Sequence, residues 1–296
     1  MTTHSAPSAV SPTVYTLPPE TTLGRVSFKV RDLGAMVAFY TTVLGMEVIE
    51  QRDDEALLGA GGSVLLQLTK VPNAVSPADN NTGLYHAAFL LPSRADLARF
   101  VRNMSENEVR FGYSDHLVSE AFYLNDIEGN GLEVYRDRPR SEWQWQNGQV
   151  AMANAEIDFT SFFAEIANDP TWRGMPAGSR LGHMHLKIGD VARAEAFYHT
   201  LFGFDVVANM GSALFVSAGG YHHHLGLNVW HSRNGRPTPA NATGLDFFEV
   251  VLPTVEAREA LVARLRDAGT TLSEHDGAPV AHDPWDNRIV LVVASS

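Results

Sequence analysis

A chain of 296 residues, 45% of them hydrophobic, is long enough to bury one large or two ordinary cores. Its formal net charge of -12 argues against nucleic acid and against an anionic membrane surface as partners, and no basic run offsets it. It has no cysteine, which excludes disulfides, thiolate metal sites and a cysteine nucleophile, so any metal must be held by His, Asp, Glu or Tyr.

Residues 1–21 are rich in Ser, Thr and Pro and lack the charged and apolar regions of a secretion signal, so they read as a flexible arm on a cytoplasmic protein. No apolar run approaches the roughly 18 residues needed to span a membrane. From Arg25 the chain reads RVSFKVRDLGAMVAFYTTVLGMEV, and from His183 it reads HMHLKIGDVARAEAFYHTLFGFDV; the two align without gaps. Lys29 and Lys187, Asp32 and Asp190, Phe39-Tyr40 and Phe197-Tyr198, and Gly45 and Gly203 coincide. Each copy predicts an alternating strand, an Asp at a helix N-cap, an amphipathic helix ending before Gly, and a second strand. A second pair, GLYHAAFLLP from Gly83 and GLDFFEVVLP from Gly244, again predicts a strand leading into a helix. Four βαβββ units follow, at 22–71, 82–138, 181–231 and 243–294. Residues 139–180 form a connector with Trp143, Trp145 and a helical stretch from Phe159 to Ile166, its tryptophans serving packing or an interface.

The second unit contains HLVSEAFYLNDIEGNGLE, from His116 to Glu133. Ala121 to Asn125 alternates as a strand, Asp126 to Gly131 supplies turn residues, and Leu132 to Tyr135 alternates again, a hairpin that can present Tyr123 and Glu133 to one cavity. By itself Gly-Asn-Gly-Leu-Glu also fits a polar hairpin with Glu133 exposed. With His116 and Tyr123 upstream, the set suits a metal site with an acid/base partner.

This stretch resembles the signature of the extradiol ring-cleaving dioxygenases of the vicinal oxygen chelate superfamily, fitting at His116, Phe122, Tyr123, Asp126, Gly129 and Glu133 and departing at Ile127, where the family has Pro. The four units resemble a two-domain member of that superfamily. The fold so implied is α+β, with two cup-shaped domains at 22–138 and 181–296. The family's metal-ligand positions on first strands correspond to Arg25, His86, His183 and Phe247, and those on last strands to Glu133, to positions near Gln67 and His224, and to Val290. Only His86, Glu133 and His183 match the family's ligand types, and a two-histidine, one-carboxylate set leaves positions open on Fe(II), with Mn(II) the other metal such ligands accept. Units paired in sequence leave neither cup complete, whereas pairing unit two with unit three unites the three residues.

His183 and His185 share one strand face, and the family alignment favours His183. In GGYHHHLGLNVW, from Gly219, the resemblance assigns His223 to substrate hydrogen bonding and proton transfer, whereas strand alternation puts His222, His224 and Asn228 toward the cavity. His199 reads as a helix residue, His231 and His275 as loop residues and His282 as a turn residue. The resemblance implies oxygen-dependent opening of a small aromatic diol beside its hydroxyls, with His116 as general acid/base, Tyr123 bonded to the substrate oxygen and His223 on the opposite wall. A glyoxalase-like isomerase or lyase and a metal-free binder of an aromatic or an antibiotic are the competing readings. Exposed strand edges suggest self-association into a homo-oligomer.

Overall fold

The computed structural model describes residues 15–294. In the first unit, β1 (Thr22–Val30) leads into α1 (Leu33–Thr42) and then β2 (Glu47–Gln51), β3 (Glu55–Ala60) and β4 (Ser63–Lys70). The second has β5 (Gly83–Leu90), α2 (Arg94–Glu106), β6 (Gly112–Asp115), β7 (Ser119–Asn125) and β8 (Gly131–Asp137). After a small hairpin, β9 (Trp145–Gln146) and β10 (Gln149–Val150), and a short helix α3 (Phe159–Ala164), the third unit has β11 (Arg180–Lys187), α4 (Val191–Ala194), β12 (Asp205–Asn209), β13 (Ala213–Ser217) and β14 (Leu225–Asn228). The fourth has β15 (Gly244–Leu252), α5 (Val255–Asp267), β16 (Leu272–His275), β17 (Ala278–His282) and β18 (Arg288–Val293).

Helix starts follow the expected chemistry. Asp32 accepts from Ala35 N–H at 3.0 Å and Asp190 from Arg193 N–H at 2.7 Å, each satisfying a first-turn donor that no helix carbonyl reaches. Gly45 and Gly203 end these helices in the left-handed region, at φ 68° and 99°. The third-unit helix departs from the regular form expected of it, because α4 continues into a π-helical stretch over Glu195–Leu201. Phe202 N–H there reaches back five residues to the Phe197 carbonyl at 2.8 Å.

The strands make two eight-stranded sheets, ordered β16-β17-β18-β15-β1-β4-β3-β2 and β12-β13-β14-β11-β5-β8-β7-β6. Units one and four therefore share one sheet, and units two and three the other. A division into successive cups at 22–138 and 181–296 is not how the strands pair. First strands pair antiparallel across each sheet's centre, β1 with β15 and β11 with β5, and each pairs parallel with the last strand of its own unit. The link from β4 to β5 leaves the first sheet, bridging at Val75 to Ala242 on the way. Consecutive units are joined instead by a buried helix-to-turn bond, Tyr40 OH donating to Asp126 at 2.9 Å and Tyr198 OH to Asp283 at 2.8 Å.

Alternation sorts the strand residues onto two faces. Val26 and Phe28 of β1, Phe89 of β5, Met184 and Leu186 of β11 and Phe248 of β15 belong to one continuous core. Burial of each large side chain contributes on the order of 1.5–3 kcal/mol. Arg25, His86, His183 and Phe247, each next to a core residue (Val26, Ala87, Met184 and Phe248), point the other way. Residues 15–21 are held against the core rather than forming a flexible arm: Leu17 is buried in it with Tyr15 packed alongside, and Leu17 N–H donates to Gly203 O at 2.8 Å. The remainder of the expected arm, residues 1–14, lies outside the described residues.

Residues 139–180 pack on the second sheet as well as connecting its units. Phe162 is buried against Phe122, with ring centroids 5.5 Å apart, and Ala155 bridges to Asp115. Trp143 is buried beside Tyr221 and Trp145 is exposed.

Candidate active site

Three strands of the second sheet bring the expected ligands together. β11 and β5 pair with His185 opposite His86 and His183 opposite Ala88, while Glu133 of β8 pairs with Ala88 on one side and with Tyr123 of β7 on the other. Glu133 Oε2 stands 3.0 Å from His86 Nε2 and 3.2 Å from His183 Nε2, and one donor atom from each residue lies within 4.8 Å of the others. All three residues are buried. Arg25, Phe247 and Val290 hold the matching places in the first sheet, where Arg25 instead pairs with Glu249 at 2.8 Å.

The donor geometry fits a metal ion. Adjacent ligands on an octahedral ion with bonds of about 2.1 Å stand about 3.0 Å apart, close to both measured separations. His86 Nε2 is buried and makes no hydrogen bond although Glu133 Oε2 is 3.0 Å away, which leaves that nitrogen without a partner in the cluster. Burial pushes the Glu133 carboxyl up, but His183 and His86 outweigh it and hold the group well below the usual carboxylate range. Burial holds His183 below the usual imidazole value against the pull of Glu133.

The cluster lines a cavity of about 1210 Å³ that also reaches Lys29, Asp246 and Arg288 of the first sheet. Around the cluster the walls are aromatic. Tyr85 lies 5.0 Å from His185 and 5.4 Å from Trp230 between ring centroids, and Phe215 lies 5.8 Å from His185. A Cβ at Gly226 would stand 2.9 Å from the His185 ring, so glycine opposite His185 leaves the room that ring occupies. Burial holds His185 well below the usual imidazole value.

His116 and Tyr123 occupy one flank. Ala153 O lies 2.9 Å from His116 Nδ1, and a carbonyl only accepts, so Nδ1 carries the ring proton. In the neutral ring this leaves Nε2 to accept from Tyr123 OH, 2.5 Å away. Burial first, and then the Glu133 charge, raise the Tyr123 phenol well above its ordinary value, which keeps the proton on.

His223 occupies the other flank, beyond β11, with its ring 4.1 Å from that of His183 and burial holding it well below the usual imidazole value. Strand alternation put His222 and His224 here instead, and it fails because β14 begins only at Leu225. His222 bonds Asp137 at 2.8 Å, and His224 accepts from Ala218 N–H at 3.1 Å, its pKa lowered by burial to about 3.

Several lining residues carried no signal in the sequence. Met152, Ala153 and Asn154 come from the connector, Phe215 from β13, and Trp230 and His231 from the turn after β14. Tyr85 was visible only as a neighbour of His86.

Residues 22–134 and 180–290 match the family described as the Glyoxalase/Bleomycin resistance protein/Dioxygenase superfamily. The chain is 42% identical over 279 residues to the catechol-2,3-dioxygenase of Bacillus subtilis (strain 168), an alignment spanning 93% of this chain and 98% of the relative. A solved structure from Bacillus subtilis subsp. subtilis str. 168 superposes with a TM-score of 0.63 at 13% identity, covering 95% of this chain and 87% of the other. Glyoxalase I from Zea mays gives 0.55 at 15% identity, covering 93% and 92%, and at such identities the likeness is one of fold. Since the match covers both halves and a 42% identical relative aligns along nearly the whole length, this chain belongs to the glyoxalase/bleomycin resistance protein/dioxygenase superfamily.

Proposed function

We propose that this chain is an extradiol dioxygenase, which opens a catechol-like ring next to its two hydroxyls using dioxygen. The observation that carries the reading is the buried convergence of His86, Glu133 and His183 on the wall of an aromatic cavity. The 42% identity to a catechol-2,3-dioxygenase supports it. His86, Glu133 and His183 hold the metal, Fe(II) with Mn(II) as the alternative, since two imidazoles and a carboxylate suit either ion. When bound, the ion supplies acidification of the diol hydroxyls and a place for dioxygen beside the ring.

The chain's own groups do the rest. Tyr85, His185, Phe215 and Trp230 offer faces and edges against which an aromatic ring stacks. Because the Tyr123 proton points at His116, the phenol oxygen is left with lone pairs that accept from a substrate hydroxyl. A proton arriving at that oxygen passes on to His116 Nε2, making the pair a general base on one flank. His223, separated from β7 by β11, β5 and β8, meets the substrate on the other flank. The connector residues Met152–Asn154 cover the His116 side and limit the water that reaches it.

The test is oxygen uptake by anaerobically iron-loaded protein on a panel of small catechols, with His183→Ala and Glu133→Ala alongside. Uptake with a yellow ring-opened product, lost in both variants, is the expected result. An iron-loaded protein that consumes no oxygen on any catechol overturns the reading in favour of an isomerase or lyase on the same scaffold. A protein that retains no metal overturns it in favour of a binder.

A further inference from the structure

The cavity is larger than a single ring needs. At about 1210 Å³ it exceeds the roughly 300–1,000 Å³ of pockets that enclose drug-sized ligands, so a one-ring diol beside His86, Glu133 and His183 leaves most of it empty. Away from that cluster the wall changes character. Lys29 of β1 and Lys187 of β11 line it, one from each sheet and both from the same position of the repeat. On β11, alternation carries His183, His185 and Lys187 along one face while Met184 and Leu186 turn to the core. At about 3.3 Å per residue, Lys187 stands about 13 Å along the strand from His183. Across the ladder Lys29 pairs with Gly244 and Lys187 with Gly83, so no side chain from that neighbouring strand stands beside either lysine.

The charged groups of this region divide into those with an ionic partner and those without. Arg288 holds Asp246 at 2.7 Å, and Asp286 is bonded to His282 at 2.5 Å. Among the described residues neither lysine ammonium forms an ion pair. Lys29 Nζ donates to Ala240 O at 2.9 Å, and Lys187 Nζ to Asp79 O at 3.4 Å, the long end of hydrogen bonding. An ammonium has three N–H bonds, so each keeps two for a ligand. Burial pulls both lysines below their usual value, more than the charges of Asp246 on Lys29 and Asp79 on Lys187 pull them up. Two half-buried cations without a carboxylate in contact, in a chain of net charge -12, leave an anion-shaped need on the cavity wall.

We infer that Lys29 and Lys187 form an anion subsite that selects catechols carrying a carboxylate on a side chain long enough to reach from the diol end of the cavity to these lysines. The inference rests on the dioxygenase reading and names the substrate class within it. Arg288 and Asp246 neutralise each other beside the subsite, so the two lysines set its sign. The alternative is that both lysines only tie down the linker carbonyls of Ala240 and Asp79, a role that serves charged and neutral substrates alike.

The experiment compares catechols bearing a terminal carboxylate on alkyl chains of increasing length with the matching primary amides. Each pair is measured in oxygen uptake by the iron-loaded full-length chain and in calorimetric titration of the metal-free full-length chain. In the unmodified protein both kcat/KM and affinity should favour the acid over the amide about tenfold or more at the fitting chain length, as a hydrogen bond to a charged group contributes. Lys29→Met and Lys187→Met should each reduce that ratio, and together bring it to within about twofold. Lys29→Arg and Lys187→Arg, which keep the charge, should retain most of it.

Acid and amide used and bound alike by the unmodified chain at every chain length overturn the inference, and that comparison needs no variant to fold. Methionine variants in which acid and amide fall together with the ratio intact overturn it as well, because that is the signature of lysines that only hold the linkers. A binding preference for the acid, lost in the methionine variants, with no oxygen uptake on any catechol, sinks the dioxygenase reading and leaves the anion subsite standing.

Discussion

Replacing Glu133 by glutamine separates the metal-holding role proposed for this residue from its structural one. The carboxylate is buried, 3.0 Å from His86 Nε2 and 3.2 Å from His183 Nε2. Removing one partner of a buried ion pair costs about 3–5 kcal/mol when a charge is left behind uncompensated. Here burial keeps His183 neutral, so glutamine leaves no bare charge and relieves the desolvation of an anion. The metal-free Glu133→Gln protein should therefore melt within about 5 °C of the unmodified one, which for a chain of this size corresponds to about 1–2 kcal/mol. With metal the two diverge. Free Fe(II) or Mn(II) at 100 times its dissociation constant stabilises the folded chain by about 2.7 kcal/mol. That is a rise of about 5–10 °C in Tm. The glutamine variant, with two imidazoles and a neutral amide, should show little of this rise. The assay is anaerobic thermal unfolding with and without each metal. A variant that gains the full rise refutes the placement of the ion, and a metal-free variant that melts far below the unmodified protein refutes the neutrality of His183.

Tyr123→Phe keeps the ring and deletes the hydroxyl bonded to His116, so kcat in oxygen uptake should fall about ten- to a hundredfold while iron content stays unchanged. Glu120 tests acid stability: burial raises its pKa, but the hydrogen bond from Arg94 and the charge of Arg136 outweigh that and hold it below the usual value of 4.5. A carboxyl depressed in the folded state contributes stability that is present above its unfolded pKa and lost as pH falls through the folded one. Glu120→Gln should cost about 3–5 kcal/mol at neutral pH by stranding Arg136, and its Tm should change less than that of the unmodified chain below pH 4.5. Tyr40→Phe and Tyr198→Phe each remove one buried hydrogen bond to an Asp that Asn130 or Asn287 still holds, so denaturant unfolding should show about 1 kcal/mol lost for each. Gly226→Ala pushes the His185 ring toward the cavity and should raise KM for a catechol about tenfold with metal retained, a spectrophotometric measurement.

Much of the fold was legible in local pattern. The gapless repeat from Arg25 and His183 marked the helices to within a few residues, because Asp32 and Asp190 cap them and Gly45 and Gly203 end them. The hairpin from β7 to β8 was legible for the same reason, its turn residues being a property of the segment itself. The π-helical stretch at Glu195–Leu201 was not, since the third-unit sequence has the same amphipathic spacing as the first. Nor were residues 15–21: their Thr and Pro composition suits an arm, yet Leu17 finds a place in the core beside Gly203.

The site divides in the same way. Residue type and position in the repeat marked His86, Glu133 and His183, because period two puts alternate strand residues on one face whatever the strand pairs with. Whether those faces meet depends on which first strands pair, and that is settled by contacts between residues 99 apart, His86 and His185 being partners in the ladder. Tertiary structure also chose among the three consecutive histidines. They lie in an irregular turn before β14, where no periodicity applies, and Asp137, from a different unit, takes His222 and leaves His223 to the cavity. The chain's local chemistry thus determined the units, their caps and the residue types of the proposed ligands. The partnering of the units, the connector's place over the site and the aim of each imidazole were decided only by packing between segments distant in sequence, because strand pairing and side-chain hydrogen bonds answer to neighbours in space.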